Sequence, residues 1–364
     1  MRVLHVVHSD AFAGVERHVA RLARAQAAQG DQVVVVGGDV PRMRATVDDP
    51  TVRVLPATSL AQVVRTIRAT APGADVLHAH MTSAEVAASL ARPTLRGMPP
   101  VVATRHFARP RGSGPAAGLT AAVARRPVRA QISISRYVAD NVDGPSVVVH
   151  PGIDDRPTAP AAAARDRTVL LVQRLETEKR TDLGVLAFAA SRLHDDGWQL
   201  LVAGDGSRRA DLEALAARAG LGDHVRFLGV RSDVDDLMQH AGLLLAPCPV
   251  EGLGLSVLEA MSNALPVVAA AAGGHLETLG GLDPLALYPS TDVDRAGEHL
   301  AVLAASASRR DAYGEAARAV QRTGFTLHAQ VENTAAVYRD ALRDQADHAD
   351  QAARPTPDHR SPTT

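Results

Sequence analysis

The run LLLAPCPVEGLGLSVLEAMS, Leu243–Ser262, sets the reading of the second half of this chain. Leu243–Ala246 is a short apolar run and reads as a buried strand, closed by Pro247 and Pro249. From Leu255 the spacing turns helical and persists until Pro266. A strand, a glycine-bearing loop and a helix therefore follow one another. Gly252 and Gly254 keep Glu251 and Glu259 off a common helix. Glu251 is expected on the loop at the carboxyl end of the strand, and Glu259 in the first helical turn. The amides of Leu255, Ser256 and Val257 then stand at a helix N-terminus, a ready site for an anion such as a diphosphate. A second reading exists for the same residues: Ser256-x-x-Glu259 is also a capping box, in which Glu259 only closes the helix end.

Working outward, short apolar runs recur at Thr168–Val172, Gln199–Ala203, Val225–Leu228, Pro266–Ala269 and Leu285–Tyr288, with helical patterns between most of them. The first half repeats the scheme at Arg2–Val7, Gln32–Val36, Val52–Leu55, Asp75–His78, Pro100–Thr104, Ala130–Ser133 and Ser146–Val149. Near-continuous apolar strands joined through helices predict parallel sheets covered on both faces. The class is α/β, with two Rossmann-like domains. The first is expected over 1–154 and the second over 168–322. The Pro- and Ala-rich segment 155–167 reads as a linker, 323–343 as a closing helix, and the polar segment 344–364 as disordered.

With 364 residues, two domains are the natural count. A net charge of −1 argues against a nucleic-acid binder, and the one cysteine, Cys248, excludes a disulfide framework. No run reaches the roughly 18 apolar residues of a membrane span, and no leader is visible, so a cytoplasmic or membrane-peripheral location is expected. Of the 39 basic residues, 38 are Arg; Lys179 is the only lysine. A GC-rich bacterial genome explains the arginines. It leaves Lys179 as a place where a compact ammonium was needed rather than a planar fork.

Lys179 closes the segment Arg174-Leu-Glu-Thr-Glu-Lys179, just after the strand Thr168–Val172. Two cations on a strand–helix loop can converge on one phosphate pair. Otherwise the segment is a solvated charge cluster, with Glu176 and Glu178 paired locally. His78, His80 and His106 stand at expected strand ends; His78-Ala-His80 shows no third metal ligand, and His106 is placed to reach a ligand. Asp233-x-Asp235 reads as helix-start charge. The loop after the first strand, with Gly14, lacks the dinucleotide fingerprint G-x-G-x-x-G, and Gly204-Asp-Gly206 is too short to stand alone. Gly97–Ala139 holds seven Arg and no Asp or Glu, a stretch that could attract a phosphorylated acceptor or an anionic membrane face.

Together these segments resemble the retaining glycosyltransferases of family four, which have the GT-B fold, over about residues 1–343. Glu251 and Glu259 resemble the family's paired glutamates, and Arg174 with Lys179 its phosphate-binding pair. Ala203-Gly-Asp-Gly206, Phe227-Leu-Gly229 and Gly273-Gly274-x-x-Glu277 fall in the family's order. Ala13-Gly14-x-Glu16 departs from its paired-glycine loop by one alanine. The resemblance implies two sheets facing across a cleft, and a terminal helix that crosses back to the first domain. It implies that Arg174 and Lys179 hold the diphosphate and Glu259 the ribose. Glu251 then positions the transferred sugar, His106 hydrogen-bonds it, and backbone near Val230 and Arg231 contacts the base. Gly14, Gly204, Gly252, Gly254 and the Leu255–Val257 amides complete the donor-binding set. No metal or cofactor is expected; the donor would be a UDP- or GDP-sugar, moved with retention to an acceptor glycan, lipid-linked carrier or small metabolite. The competing classes are an epimerase of the same fold and a non-catalytic nucleotide-sugar-binding protein. A nicotinamide-dependent oxidoreductase should show the missing fingerprint.

Overall fold

The computed structural model describes residues 1–95, 97–112, 115–156 and 158–353. Thirteen strands appear in two sheets. In chain order they are β1 (Arg2–Val7), β2 (Gln32–Val36), β3 (Arg53–Leu55), β4 (Val76–His80), β5 (Val101–Arg105), β6 (Val128–Ser133), β7 (Val147–Val148), β8 (Thr168–Val172), β9 (Gln199–Ala203), β10 (Val225–Gly229), β11 (Leu243–Ala246), β12 (Val267–Ala270) and β13 (Leu287–Tyr288). One sheet runs β3-β2-β1-β4-β5-β6-β7 and the other β10-β9-β8-β11-β12-β13. Each sheet starts in its middle, winds to one edge, then returns to build the other. That is doubly wound topology, and it creates a switch point beside the first strand of each sheet.

Alternation along the strands assigns the faces of the first sheet. Leu4, Val6, Leu77, Ala79 and Val101 pack with Val63, Val64 and Ile67 of the helix Leu60–Thr70 and with the alanines of Thr82–Ala91. Val33 and Val35 meet Val19, Ala20 and Ala23 of the helix Gly14–Ala28. In the second sheet both faces are apolar, from Leu170, Leu171, Leu200, Val202 and Leu243–Leu245 to Val267 and Val268. Val, Leu and Ala fill these cores, as a chain with 3% aromatics requires.

The chain divides into two compact units. One holds Met1–Thr104, Arg111–Ile132 and the chain from Val331 on; the other holds Arg105–Pro110 and Ser133–Gln330. This differs from the contiguous division read from the sequence, because Ser135, Arg136 and Tyr137 bind Gly252 and Glu277, more than a hundred residues later. The segment read as a linker is clasped into the second unit. There the buried Arg165 guanidinium donates to the carbonyls of Met238, Gln239, Ala241 and Asn263 at 2.6–3.2 Å, and the Ala162 amide donates to Asp311 at 2.7 Å. The last helix, Leu327–Ala353, runs ten residues past Arg343. Residues 344–353 were read as disordered from their polarity. They contain no Gly or Pro and are rich in Ala, Gln and Asp, so they extend a helix already anchored upstream. Residues 354–364 lie outside the described residues.

The first unit carries a polar feature the sequence did not announce. His78 lies inside β4, not at its end, and parallel register sets it beside His5 of β1. His5, His78 and His80 thus share one face and are 0–1% exposed. Their nearest ring nitrogens lie within 4.8 Å of one another, so His78-x-His80 does have a third imidazole. Single-file hydrogen bonds account for these groups. His80 Nε2 and His5 Nδ1 share a hydrogen bond (3.1 Å), His5 Nε2 donates to Gln26 Oε1 (2.7 Å), Gln26 Nε2 donates to the Tyr338 hydroxyl (3.4 Å), and His78 bonds that hydroxyl through Nδ1 and Thr104 Oγ1 through Nε2 (2.6 Å each). Because Gln26 Oε1 can only accept, His5 carries a proton on Nε2.

Burial keeps His5 and its neighbour His18 neutral. It holds His5 down to about 4, against its Gln26 hydrogen bond and Asp31, and His18 down to about 3, helped by the charges of His5 and Arg21. The unfolded chain takes up these protons first, from the ordinary value of 6.5 downward. Stability is therefore complete above about pH 6.5 and is lost as pH falls toward 4, by about 1.4 kcal/mol per pH unit for each such imidazole. Thermal unfolding followed from pH 7.5 to 5 should show this fall. A flat profile would contradict neutral His5 and His18.

Candidate functional site

The site lies in the second unit, where three loops at the carboxyl ends of strands meet. After β8 the chain passes Gln173 and Arg174 and turns through Thr177–Lys179 into the helix Thr181–Ala190. Gln173 holds this turn by donating Nε2 to the Lys179 carbonyl and to Thr181 Oγ1, each at 2.9 Å. Arg180, with φ 51°, turns the backbone sharply and leaves the Lys179 side chain on the inner side. After β11, the loop 247–254 carries Glu251. The Lys179 ammonium donates to Glu251 Oε2 at 2.6 Å across 72 positions of sequence. The two side chains keep only 18% and 25% of their exposure, so water screens them poorly.

The electrostatics are mutual. Burial alone would discharge Lys179, but the Glu251 carboxylate outweighs it and holds the ammonium above its ordinary range. Burial likewise favours neutral Glu251, and the Lys179 charge and hydrogen bond reverse that, holding the carboxyl below its ordinary range. Cys248 lies against the same turn, its Sγ 3.6 Å from the Glu178 carbonyl. Burial pushes its thiol up to about 11, so it stays neutral.

The helix Leu255–Ser262 follows directly. Its N-cap is Gly254, at φ 94°, a left-handed conformation that a side chain would strain. No side chain caps this end. Ser256 is the second helical residue and Glu259 the fifth, so the capping-box reading fails: Glu259 sits two positions too far along, in the second turn rather than the first. The amides of Leu255, Ser256 and Val257 are the first three of the helix and have no acceptor within it. Glu259 is 8% exposed.

Other expected residues fall as follows. Arg174 is half exposed and pairs with Glu178 at 2.8 Å, so in this state it does not join Lys179. Glu176 binds Ser207, through Oγ at 2.6 Å. Gly204 follows β9 at φ 144° and donates its amide to Gly229 at 2.8 Å. Val230 is 65% exposed, and Arg231 pairs with Asp233 at the start of the helix Val234–His240, through Nε at 2.7 Å. His106 follows β5, is buried, and turns its carbonyl onto Gly252, where an added Cβ would lie 2.7 Å away. Gly14, in the first unit, opens the helix Gly14–Ala28, which Glu16 closes by accepting the Ala13 amide at 2.9 Å. Sequence reading missed Gln173 and Ser135. A polar residue directly after a strand, or directly before a helix, is the signal both carried.

The family profile described as Glycosyl transferases group 1 matches residues 154–320, and that of Glycosyltransferase Family 4 matches residues 12–156. The GDP-mannose-dependent alpha-(1-6)-phosphatidylinositol monomannoside mannosyltransferase of Mycobacterium tuberculosis is 32% identical over 189 residues, 46% of this chain and 49% of that one. The lipopolysaccharide core biosynthesis mannosyltransferase LpsB of Rhizobium meliloti is 30% identical over 237 residues, 60% of this chain and 67% of that one. The chain thus spans about half the length of the mycobacterial relative and about two thirds of the rhizobial one. The crystal structure of Anabaena HepE in complex with UDP-glucose superposes with a TM-score of 0.75 at 21% identity, covering 93% of this chain and all of that one. Among the described residues no helix is long and apolar enough to cross a membrane. With both of its halves matched in order, and with this α/β architecture, the chain belongs to the family 4 (group 1) glycosyltransferases of GT-B fold.

Proposed function

We propose that this protein transfers a sugar from a nucleotide-sugar donor to an acceptor hydroxyl, with retention of anomeric configuration. The observation that carries the reading is the pairing of the only lysine, Lys179, with Glu251, directly before a helix whose first three amides lack internal acceptors. As the anomeric bond breaks, negative charge grows on the departing diphosphate. Lys179 and the Leu255–Val257 amides stabilise that charge where it appears, typically the largest catalytic contribution. Arg174 joins them at little cost, because its exposed pair with Glu178 is worth at most about 1 kcal/mol. Glu251 holds the transferred sugar, with His106 beside it, and Glu259 the ribose. Val230 and Arg231 flank the base, and Gly204 and Gly14 let backbone approach. No metal is needed, since these groups neutralise the diphosphate.

The named relatives favour a UDP- or GDP-sugar as donor and a glycan or lipid-linked glycoconjugate as acceptor. In the first unit Arg125, Arg126 and Arg129 are exposed, and Arg92 Nη1 donates to the Arg126 carbonyl (3.3 Å). We assign to that basic stretch the attraction of a phosphorylated acceptor or an anionic lipid surface.

Thermal shift with UDP, GDP and their sugars tests donor binding, because a ligand of the folded state raises its stability by mass action. Product analysis then follows. A new glycosidic bond of retained configuration is expected; an altered free nucleotide sugar would make the protein an epimerase instead. Glu259→Gln should weaken nucleotide binding by about tenfold, the size of a lost charged hydrogen bond. Its melting temperature should stay unchanged, since Gly254 and not Ser256 begins the helix. Unaltered nucleotide affinity would remove Glu259 from the site.

A further inference from the structure

The Glu251 loop is held from behind by a segment that no donor-binding role explains. Ser135 is fully buried; its hydroxyl donates to the Gly252 carbonyl at 2.6 Å and accepts the Val138 amide at 3.0 Å. The two preceding amides of the same short helix, Arg136 and Tyr137, donate to the two carboxylate oxygens of Glu277 at 3.0 and 2.9 Å. His150 Nε2 adds a third contact to Glu277 at 3.1 Å. Glu277 lies three residues beyond Gly274, whose amide donates to the Glu251 carbonyl at 2.9 Å. The carbonyls of Glu251 and Gly252 are therefore both fixed, one by Gly274 and one by Ser135. Ser135 and Glu277 belong to one clamp, since each binds the start of the helix Arg136–Asn141.

We propose that Ser135 and Glu277 are positioning residues for the Lys179–Glu251 pair: they lock the peptide that carries Glu251 and so keep its carboxylate on the lysine. The catalytic consequence rests on the transferase reading; the positional one does not. Without the Ser135 hydroxyl the Gly252 carbonyl loses its donor, and the Glu251 loop gains freedom on one side. Without one Glu277 oxygen as acceptor, an amide of the helix start is left open and the clamp loosens on the other. A shift of about 1 Å at a catalytic group is enough to cost a large factor in rate while binding persists.

The unique lysine makes the test direct. Full-length protein labelled with ¹³C at lysine Cε gives one lysine side-chain resonance, and its pH titration reports how tightly Glu251 holds Lys179. Ser135→Ala and Glu277→Gln should each move that titration to lower pH, and Ser135→Thr, which keeps the hydroxyl, should restore it. Tyr338→Phe, in the other unit, controls for general destabilisation and should leave it in place. In turnover, both clamp variants should lower kcat about tenfold with the donor KM within about twofold. A lysine titration unchanged in both clamp variants, or moved equally by Tyr338→Phe, overturns the proposal. A shifted titration in a protein that turns over no nucleotide sugar upholds the clamp and removes the transferase reading.

Discussion

Lys179→Ala should lower turnover at least about tenfold, the factor that corresponds to a lost charged hydrogen bond of ~1.5–3 kcal/mol. Two effects act together. The departing diphosphate loses its compact cation, and Glu251 keeps a mostly buried carboxylate with no partner, which is itself strongly destabilising. Lys179→Arg separates charge from shape. A guanidinium restores the charge, but its planar fork cannot occupy a place fitted to a point contact at 2.6 Å. Turnover should remain well below wild type although stability largely returns. Wild-type turnover in Lys179→Ala, measured with a confirmed donor, would remove the lysine from the mechanism.

Gly204→Ala should cost about 3 kcal/mol of stability or more. At φ 144° the backbone occupies a region nearly closed to residues with a side chain, and the added Cβ would stand 1.9 Å from the Gln173 carbonyl. Neither neighbour can yield, since Gln173 also anchors the Lys179 turn. The expected result in chemical denaturation is a lower midpoint with an unchanged slope. A variant as stable as wild type would mean that this backbone relaxes freely, and the close approach of β9 to the β8 loop would carry no constraint.

Much of this was legible in the sequence for a definite reason. Strands buried on both faces must be apolar nearly throughout, so Leu243–Ala246 and Thr168–Val172 announced themselves, and the proline and glycine that follow β11 placed Glu251 on a loop. Arginine-for-lysine usage singled out Lys179 without any structure. What stayed hidden depends on contacts between distant parts of the chain. Ser135 reaches Gly252 across 117 positions, and no spacing rule carries that information. His5 joins His78 and His80 only once β1 and β4 are in register. The capping-box reading of Ser256 and Glu259 failed on a backbone detail: a left-handed Gly254 starts the helix two residues before Ser256. Residues 344–353 were misread because polarity was weighed and helix propensity was not.

The Tyr338 hydroxyl completes a hydrogen-bonded file whose other members all lie before residue 105. The amino-terminal sheet therefore waits for this partner until some 230 further residues have been synthesised. At about 5–20 residues per second that is a wait of tens of seconds at the slower end. During it the half-built amino-terminal sheet holds three imidazoles without their tyrosine, and the second sheet has time to form first. Truncation before Val331 should therefore harm the amino-terminal unit more than the second unit.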